Sequence, residues 1–287
     1  MKKWIFLCII SFLLLGCNED TIHNEPQLVV EGWIENGKFP IIMLTTTLPI
    51  KTEYQDFDHL EKYILKWAKV TISDGTKETI LTGTVKKQFE PPFIYTTTDM
   101  RGVVGKTYKL RVKYKDFYAE SETTIPDPVE FKSLETVSVG NGKYKIEGTI
   151  ADQDSAKNYY KIFSLKIPDD TYYLSFYPCV FHDGMAETQK GIDILRGTKS
   201  SEELDSPYFE EGDTVMVKLA QIDEKGYTFW KNFEQSCALS RNPLFFFREN
   251  IYSNIKGGLG YWCGYGAKEY RVIINDQIIN NKRKEYD

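Results

Sequence analysis

Histidine and cysteine are scarce in this chain of 287 residues, which holds 3 histidines and 5 cysteines. The histidines are His23, His59 and His182, and none lies in a helical metal-binding motif. The cysteine separations fit no zinc site, and no serine lies in the nucleophile-elbow pattern of a Ser-His-Asp hydrolase. We therefore predict no metal, no cofactor and no catalytic residue.

An excess of positive charge is also missing. The chain has 36 Lys and Arg against 41 Asp and Glu, a net charge of -5. The lysines and arginines form no basic stripe interleaved with aromatic residues. Nucleic acid is therefore not expected as a partner.

Long apolar runs are absent except at the amino terminus, where two lysines precede a mostly apolar stretch at residues 4–15. This stretch is short of the roughly 20 apolar residues that span a membrane, and it has the layout of a secretory signal. Leu14-Leu15-Gly16-Cys17 resembles the bacterial lipobox, in which the cysteine is acylated and becomes the first mature residue. We expect a signal peptide at residues 1–17 that ends at a lipidated Cys17. The alternative is an ordinary signal peptide with an incidental cysteine.

The residues after Cys17 bear on where the chain is anchored. Several acyl chains hold a protein at a membrane far more firmly than one. Residues 18–20 are Asn-Glu-Asp, which resembles the export signal of surface-exposed lipoproteins of Bacteroidota. We therefore expect attachment to the outer membrane through the lipid, facing the cell exterior, after a polar tether at residues 18–27. The alternative is an acidic tether without a sorting role.

Residues 28–126 contain short stretches rich in Val, Ile, Thr and Tyr that are separated by turn residues. The predicted strands are residues 28–34, 41–44, 68–74, 79–84, 93–97, 107–114 and 117–125. Asp74-Gly75 and Lys115-Asp116 are placed to form hairpin turns. Seven such strands predict a β-sandwich, and the alternation in residues 107–114 resembles an immunoglobulin-like or fibronectin-like module. The two prolines at 126 and 128 mark a domain boundary.

Residues 127–275 are expected to form a second β-rich domain, followed by a polar tail at residues 276–287. Its predicted strands are residues 131–139, 143–150, 159–167, 171–181 and 214–222, and Asn141-Gly142 predicts a hairpin. One amphipathic helix is predicted at residues 224–237, with Asp223 as its cap. Its aromatic stripe, Tyr227, Trp230 and Phe233 followed by Cys237, is expected to pack on the second sheet and not to face a ligand.

Six motifs are spread over most of residues 28–267. They are Leu28-Val29-Val30-Glu31-Gly32, Gly105 to Leu110, Ala119 to Pro126, Asp152 with Asn158-Tyr159-Tyr160, Asn242-Pro243, and Ser253 to Gly260. Together they resemble the Bacteroidota domain-of-unknown-function family 4249, whose members are outer-membrane lipoproteins typically encoded near TonB-dependent transporters. The resemblance implies an accessory lipoprotein of a nutrient-uptake or envelope system, and it supplies no catalytic residue.

The glycine-aromatic segment at residues 257–266 is the first candidate site. A phosphate-binding loop is excluded because no Lys-Ser or Lys-Thr pair and no helical pattern follow the glycines. The glycines are expected to let a strand bend or two backbones approach closely. The alternative is a partner or ligand surface made by Asn254, Tyr261, Trp262 and Tyr265.

Other groups leave alternatives open. The acidic stretch between residues 181 and 214 is long enough to be functional or disordered. Aspartates at 152, 154, 169 and 170 are expected in turns, with a calcium site as the alternative. The aromatic cluster at Tyr159, Tyr160, Tyr172, Tyr173, Phe176 and Tyr177 fits strand propensity or an exposed stacking surface. Pairing among Cys179, Cys237 and Cys263 stays open.

The sequence therefore predicts a mainly β fold and a non-enzymatic lipoprotein that assists a TonB-dependent transporter. It would capture a small-molecule, glycan or peptide ligand or dock on the barrel. The alternatives are a structural or adhesive envelope module and, third, a hydrolase with a carboxylate pair brought together by the fold. An aromatic cleft in the second domain would favour capture, a flat apolar patch docking or adhesion, and two facing carboxylates a hydrolase.

Overall fold

The computed structural model describes residues 26–47, 61–150, 157–197, 206–240 and 252–275. Several predicted features lie outside these ranges and stay predictions. They are the signal peptide with Cys17, the tether up to residue 25, His23, His59, Asp152, Asp154, the acidic residues at 202, 203 and 205, Asn242-Pro243 and the tail from residue 276. The described part of the chain contains no helix with the length and apolar character needed to cross a membrane.

Strands make up most of the regular structure, which confirms the mainly β fold. The strands are β1 (Leu28–Glu35), β2 (Ile41–Thr46), β3 (Lys69–Ser73), β4 (Glu78–Ile80), β5 (Thr82–Val85), β6 (Phe93–Thr96), β7 (Thr107–Tyr114), β8 (Phe117–Thr124), β9 (Phe131–Gly140), β10 (Lys143–Ile150), β11 (Tyr159–Ile167), β12 (Val180–His182), β13 (Ile192–Ile194), β14 (Phe209–Glu210), β15 (Thr214–Ile222) and β16 (Leu259–Ile273). The helices are a 3-10 turn at Glu61–Tyr63, α1 (Ala186–Lys190) and α2 (Glu224–Ser240).

Three open sheets organise these strands. The central sheet has eight strands in the order β12-β11-β15-β16-β1-β2-β6-β5. A four-stranded sheet, β4-β3-β7-β8, packs on one half of it, and a second sheet of β13, β10, β14 and β9 packs on the other half. Both smaller sheets cover the same face of the central sheet, so the opposite face is left for other elements.

Strand β16 joins the two halves of the central sheet. It runs parallel to β1, with Glu31 beside Tyr261 and Trp33 beside Cys263, and antiparallel to β15. Because side chains alternate along a strand, Trp262 points into the first core, where its indole N–H donates to the Tyr108 carbonyl oxygen at 3.0 Å. The predicted domains at 28–126 and 127–275 therefore share one sheet, and the division between them stays a prediction.

Glycines in β16 allow close backbone contact, as the sequence predicts. A Cβ atom on Gly264 would lie 2.7 Å from the Thr124 carbonyl oxygen, and one on Gly266 would lie 2.1 Å from that of Pro126. Only a residue without Cβ fits these positions. The end of β8 can therefore cross directly over the central strand.

Most predicted turns and strands are confirmed, and two strands need correction. The hairpin residues Lys115, Asn141 and Gly142 adopt positive φ angles of 50°, 53° and 69°. The single strand predicted at 79–84 is wrong, because the chain passes from one sheet to another at Leu81. Of the strand predicted at 171–181, only the end is confirmed, as part of β12 (Val180–His182), and the prediction for residues 171–179 is wrong. Pro178 lacks the N–H that a ladder needs, and only Leu174 makes a bridge, to Ser164.

Candidate functional site

A cleft of about 890 Å³ lies on the free face of the central sheet. Its floor comes from β11, β15, β16, β1 and β2, and its walls come from α2 and from the segments at residues 88–90 and 171–177. Sites for small molecules have volumes of roughly 300–1,000 Å³. The cleft therefore has the size of a small-molecule site.

Aromatic side chains dominate the lining of the cleft. At one wall Trp33 packs on Phe89 with ring centroids 6.0 Å apart, and Phe89 packs on Tyr172 at the same distance. At the other wall Tyr261 contacts Phe229 at 4.7 Å and Trp230 at 4.9 Å. Because these rings support one another from several elements, their faces are held in place. Such a lining suits a flat apolar ligand.

Helix α2 is fixed over the sheet by two carboxylates. Asp223 caps its first turn by accepting the Gly226 N–H at 2.7 Å, which confirms the predicted cap. Near the other end, Glu234 is buried and accepts the backbone N–H groups of Cys179 at 2.6 Å and Val180 at 3.2 Å. These bonds join the helix to β12 and hold its aromatic stripe at the wall of the cleft.

The aromatic stripe of α2 has two roles in the structure. Tyr227 packs on Tyr159 of β11, with ring centroids 4.9 Å apart, as expected for a stripe that packs on the sheet. Trp230 and Phe233 also line the cleft, a position that the sequence pattern did not favour. The side chain of Cys237 lies outside the described residues.

Lys161 brings a positive charge into this aromatic surrounding. It lies on the cleft face of β11, is 2% exposed, and its Nζ is 2.7 Å from the ring centroid of Trp230. No carboxylate in the described part of the chain lies within ion-pair distance of this Nζ. Burial lowers the pKa of the ammonium to about 8. The lysine is therefore a desolvated cation whose main direct contact is an aromatic face.

Glu31 is the carboxyl group on the strand next to Tyr261. Its Oε1 accepts the hydroxyl of Tyr261 at 3.0 Å. Burial raises the pKa of Glu31, and the Tyr261 hydroxyl and the Lys161 charge oppose that rise. Burial also raises the pKa of Tyr261 well above its usual value. This end of the cleft thus holds one cation, one carboxyl group and a phenol that remains protonated.

The other end of the cleft is closed by an ion network. Lys218 Nζ lies 2.8 Å from Glu35 Oε2, and Lys38 Nζ lies 2.9 Å from Glu35 Oε1. Both lysines also pair with Glu269, and the Lys218 ammonium lies 4.0 Å from the ring centroid of Tyr173. Burial lowers the pKa of Lys218, while Glu35 opposes this shift. These four charges neutralise one another, so the network offers no unpaired charge to a ligand.

Of the four candidate surface residues, two line the cleft. Tyr261 and Tyr265 belong to its lining. Trp262 is fully buried in the first core, and Asn254 uses both ends of its amide on the Trp262 backbone, at 2.8 Å and 2.9 Å. Asn254 and Trp262 thus shape the strand that presents the two tyrosines.

The predicted aromatic cluster is divided in a similar way. Tyr172, Tyr173 and Tyr177 line the cleft, whereas Tyr160 is buried against the second small sheet. Residues that the sequence reading did not single out are Glu31, Trp33, Phe163 and Lys161. The sequence contains one signal for Lys161, because this charged residue lies between apolar residues on the same face of a strand.

The remaining candidates have structural partners. Glu210 pairs with Lys143 at 2.5 Å, and Asp213 pairs with Lys166 at 3.0 Å. Asp170 holds Arg196 at 2.7 Å. Within the described residues no group of three or more His, Cys, Asp or Glu side chains is placed to hold a metal ion. Cys179 and Cys263 are buried free thiols.

Raising the pH is expected to stabilise the wild-type protein relative to a Lys161→Met variant. Because burial lowers the pKa of Lys161 from 10.5 to about 8, the unfolded chain holds more protons than the folded protein between these values. The free energy of unfolding therefore rises with pH across this window. We expect a relative gain of up to about 3 kcal/mol, at ~1.4 kcal/mol per pKa unit. Urea unfolding of both proteins at about pH 7, 8.5 and 10 measures it.

The variant also serves as the control. Burial raises the pKa of Tyr261 and of Cys263, which favours the unfolded state at high pH in both proteins. Subtracting one stability curve from the other removes the part of this contribution that does not depend on the Lys161 charge, which itself lowers the pKa of Cys263. A difference that does not change with pH would contradict the position of Lys161.

Comparison with known proteins gives the family of the chain. No curated protein matches it. A family model described as Domain of unknown function (DUF4249) matches residues 17–271, which include the cleft and, except for the last two residues of β16, all three sheets. The resemblance carried by the sequence motifs is thereby confirmed, and the chain belongs to the DUF4249 family.

Proposed function

We propose that this protein is a surface-exposed outer-membrane lipoprotein that captures a small ligand in the aromatic cleft and delivers it to a TonB-dependent transporter. The observation that carries the proposal is the cleft itself, with rings on both walls and a desolvated ammonium inside. Clefts of this kind are the usual form of small-molecule sites. The volume suits a small molecule, or a short piece of a glycan or peptide, better than a folded partner.

The proposed role is non-enzymatic. Glycosidase carboxyl pairs lie roughly 5–9.5 Å apart. Glu31 and Glu35, both in the cleft lining, are four residues apart on one strand, which corresponds to about 13 Å at 3.3 Å per residue. Glu35 is also neutralised by two lysines. For these two carboxylates, the arrangement supports binding over hydrolysis.

A structural or adhesive module remains the second candidate. In this candidate, residues 28–126 form an immunoglobulin-like or fibronectin-like sandwich, because such modules often act as spacers. The packing of the sheet β4-β3-β7-β8 over β1, β2, β6 and β5 supports the sandwich description. Ligand capture is favoured over a spacer role, because a spacer needs no aromatic cleft.

Purification from native outer membranes in mild detergent, with a tag at the carboxy terminus, tests the transporter role. We expect a TonB-dependent barrel to co-purify in near-stoichiometric amount, identified by mass spectrometry. A tagged, unrelated outer-membrane lipoprotein from the same cells is the control. Repeated recovery of the protein without any barrel would contradict the transporter role and favour the structural or adhesive module.

A further inference from the structure

One end of the cleft holds a buried donor without an acceptor and a buried cation without an ion-pair partner. Within the described residues, Trp230 Nε1 has no hydrogen-bond partner, and the Lys161 ammonium, which rests on the same ring, has no carboxylate within ion-pair distance. Burial raises the pKa of Tyr265, and the nearby Trp230 indole N–H opposes this rise. The indole N–H and the Tyr265 hydroxyl nevertheless do not have the geometry of a hydrogen bond. A buried donor without a partner is costly, and an acceptor supplied by a ligand would satisfy it.

The carboxylates nearby are held by other groups. Glu31 accepts the Tyr261 hydroxyl with one oxygen. One oxygen of Glu234 accepts two backbone N–H groups, and its other oxygen has no hydrogen-bond partner within the described residues and lies 3.6 Å from Lys231 Nζ. At the far end of the cleft, Lys38 and Lys218 are neutralised by Glu35 and Glu269. Arg101 also lines the cleft, but it is exposed, stacks on Phe39 and donates to the Gly37 carbonyl oxygen. Lys161 is thus the buried cation of the cleft lining that has no carboxylate partner within the described residues.

We propose that the ligand is an organic carboxylic acid with a flat apolar body, bound with its carboxylate at Lys161 Nζ and its body among the aromatic rings. This inference rests on the proposed capture function. The single positive charge of Lys161, with the Glu31 carboxyl group of β1 close enough to act on it, matches one negative charge and not the two of a phosphate monoester. The ring of Phe163, whose centroid lies 5.0 Å from the same Nζ, and the ring of Trp33 offer surfaces for the apolar body.

Isothermal titration with 2-naphthoate and 2-naphthamide tests this inference. The two probes share a ring system and differ in charge. The full chain is purified in mild detergent, and titration into protein-free detergent corrects for partition of the probes. A charge-assisted bond in a desolvated site corresponds to about tenfold or more in affinity, so we expect the acid to bind the wild type at least about tenfold more tightly than the amide.

A Lys161→Met variant is the matched control. Methionine keeps the length of the side chain, and removal of an unpaired buried charge is not expected to unfold the protein. In this variant the acid should lose its advantage, so the affinities for the acid and the amide should differ by less than about twofold. Lys161→Gln provides a second test with a polar, uncharged side chain.

The outcomes separate the inference from the function on which it rests. Equal binding of both probes to the wild type, or a preference for the acid that persists in both variants, would overturn the carboxylate assignment but leave capture by the cleft standing. Absence of binding by either probe would count against both. Loss of the preference in the variants alone supports the assignment.

Discussion

Replacement of Gly260 by alanine is expected to lower the free energy of unfolding by more than about 4 kcal/mol or to prevent folding. A Cβ atom at this position would lie 1.9 Å from the Val30 carbonyl oxygen, and the residue has a φ of +106°. The clash falls on the backbone of β1, where Val30 is the register partner of Gly260. The parallel ladder between β1 and β16 would therefore have to open. Denaturant unfolding followed by circular dichroism measures the loss.

Gly37→Ala is the matched control for this substitution. Gly37 also has a positive φ, +74°, but a Cβ atom there would meet no atom within 4 Å. Its cost should be limited to backbone strain, about 1–2 kcal/mol. Similar losses for the two variants would show that strain alone, and not the approach of β1 to β16, explains the requirement for glycine at position 260.

Substitution of Glu35 by glutamine should destabilise the protein by about 3 kcal/mol, because it leaves buried lysine charge without its main partner. Glu35 is 4% exposed and Lys218 is 7% exposed, so solvent does not replace the lost carboxylate. Glu269, 3.7 Å from Lys218, limits the loss. Thermal and urea unfolding of the variant and the wild type provide the measurement.

Two further variants define the origin of that loss. Glu78→Gln breaks the pair with Arg111 at 2.9 Å, in which both side chains are 48% exposed, and should cost less than about 1 kcal/mol. The double substitution Glu35→Leu with Lys218→Met removes both charges and should recover much of the stability. If the double variant is no more stable than Glu35→Gln alone, an unpaired buried charge is not the cause.

Local sequence patterns were sufficient for the elements that have one face in a core and one in solvent. Strand β7 alternates buried and exposed residues and was predicted with its observed bounds. Helix α2 was recognisable from its cap and its aromatic spacing, although it continues to Ser240. In these elements the spacing of apolar residues in the sequence follows directly from which side chains are buried.

Strand β16 shows why other elements were not predicted. Both of its faces are covered along Tyr261 to Ala267, so apolar and small residues follow one another without alternation. A central strand buried on both sides has this pattern, which the glycines further obscure. Its length and its parallel pairing with β1 depend on contacts between distant parts of the chain.

The candidate site was the least predictable part of the molecule. Lys161 stands in a strand segment that also contains Lys166. Alternation places Lys161 on the face of Tyr159, Phe163 and Leu165 and Lys166 on the other face, but it does not show what either face packs against. Only the arrangement of β11 beside β15, with α2 above, converts the Lys161 face into part of the cleft floor.

The parallel pairing of β1 with β16 has a consequence for how the molecule reaches its native state. The pairing joins residues 230 positions apart in the chain, as in the contact of Glu31 with Tyr261. Contacts of such high sequence separation slow folding, since a long loop must close before they form. In a polypeptide delivered amino terminus first, the edge of β1 that faces β16 stays unpaired until β16 arrives. The cleft, whose floor includes both strands, therefore forms only after that pairing, and premature association through the open β1 edge is the hazard that precedes it.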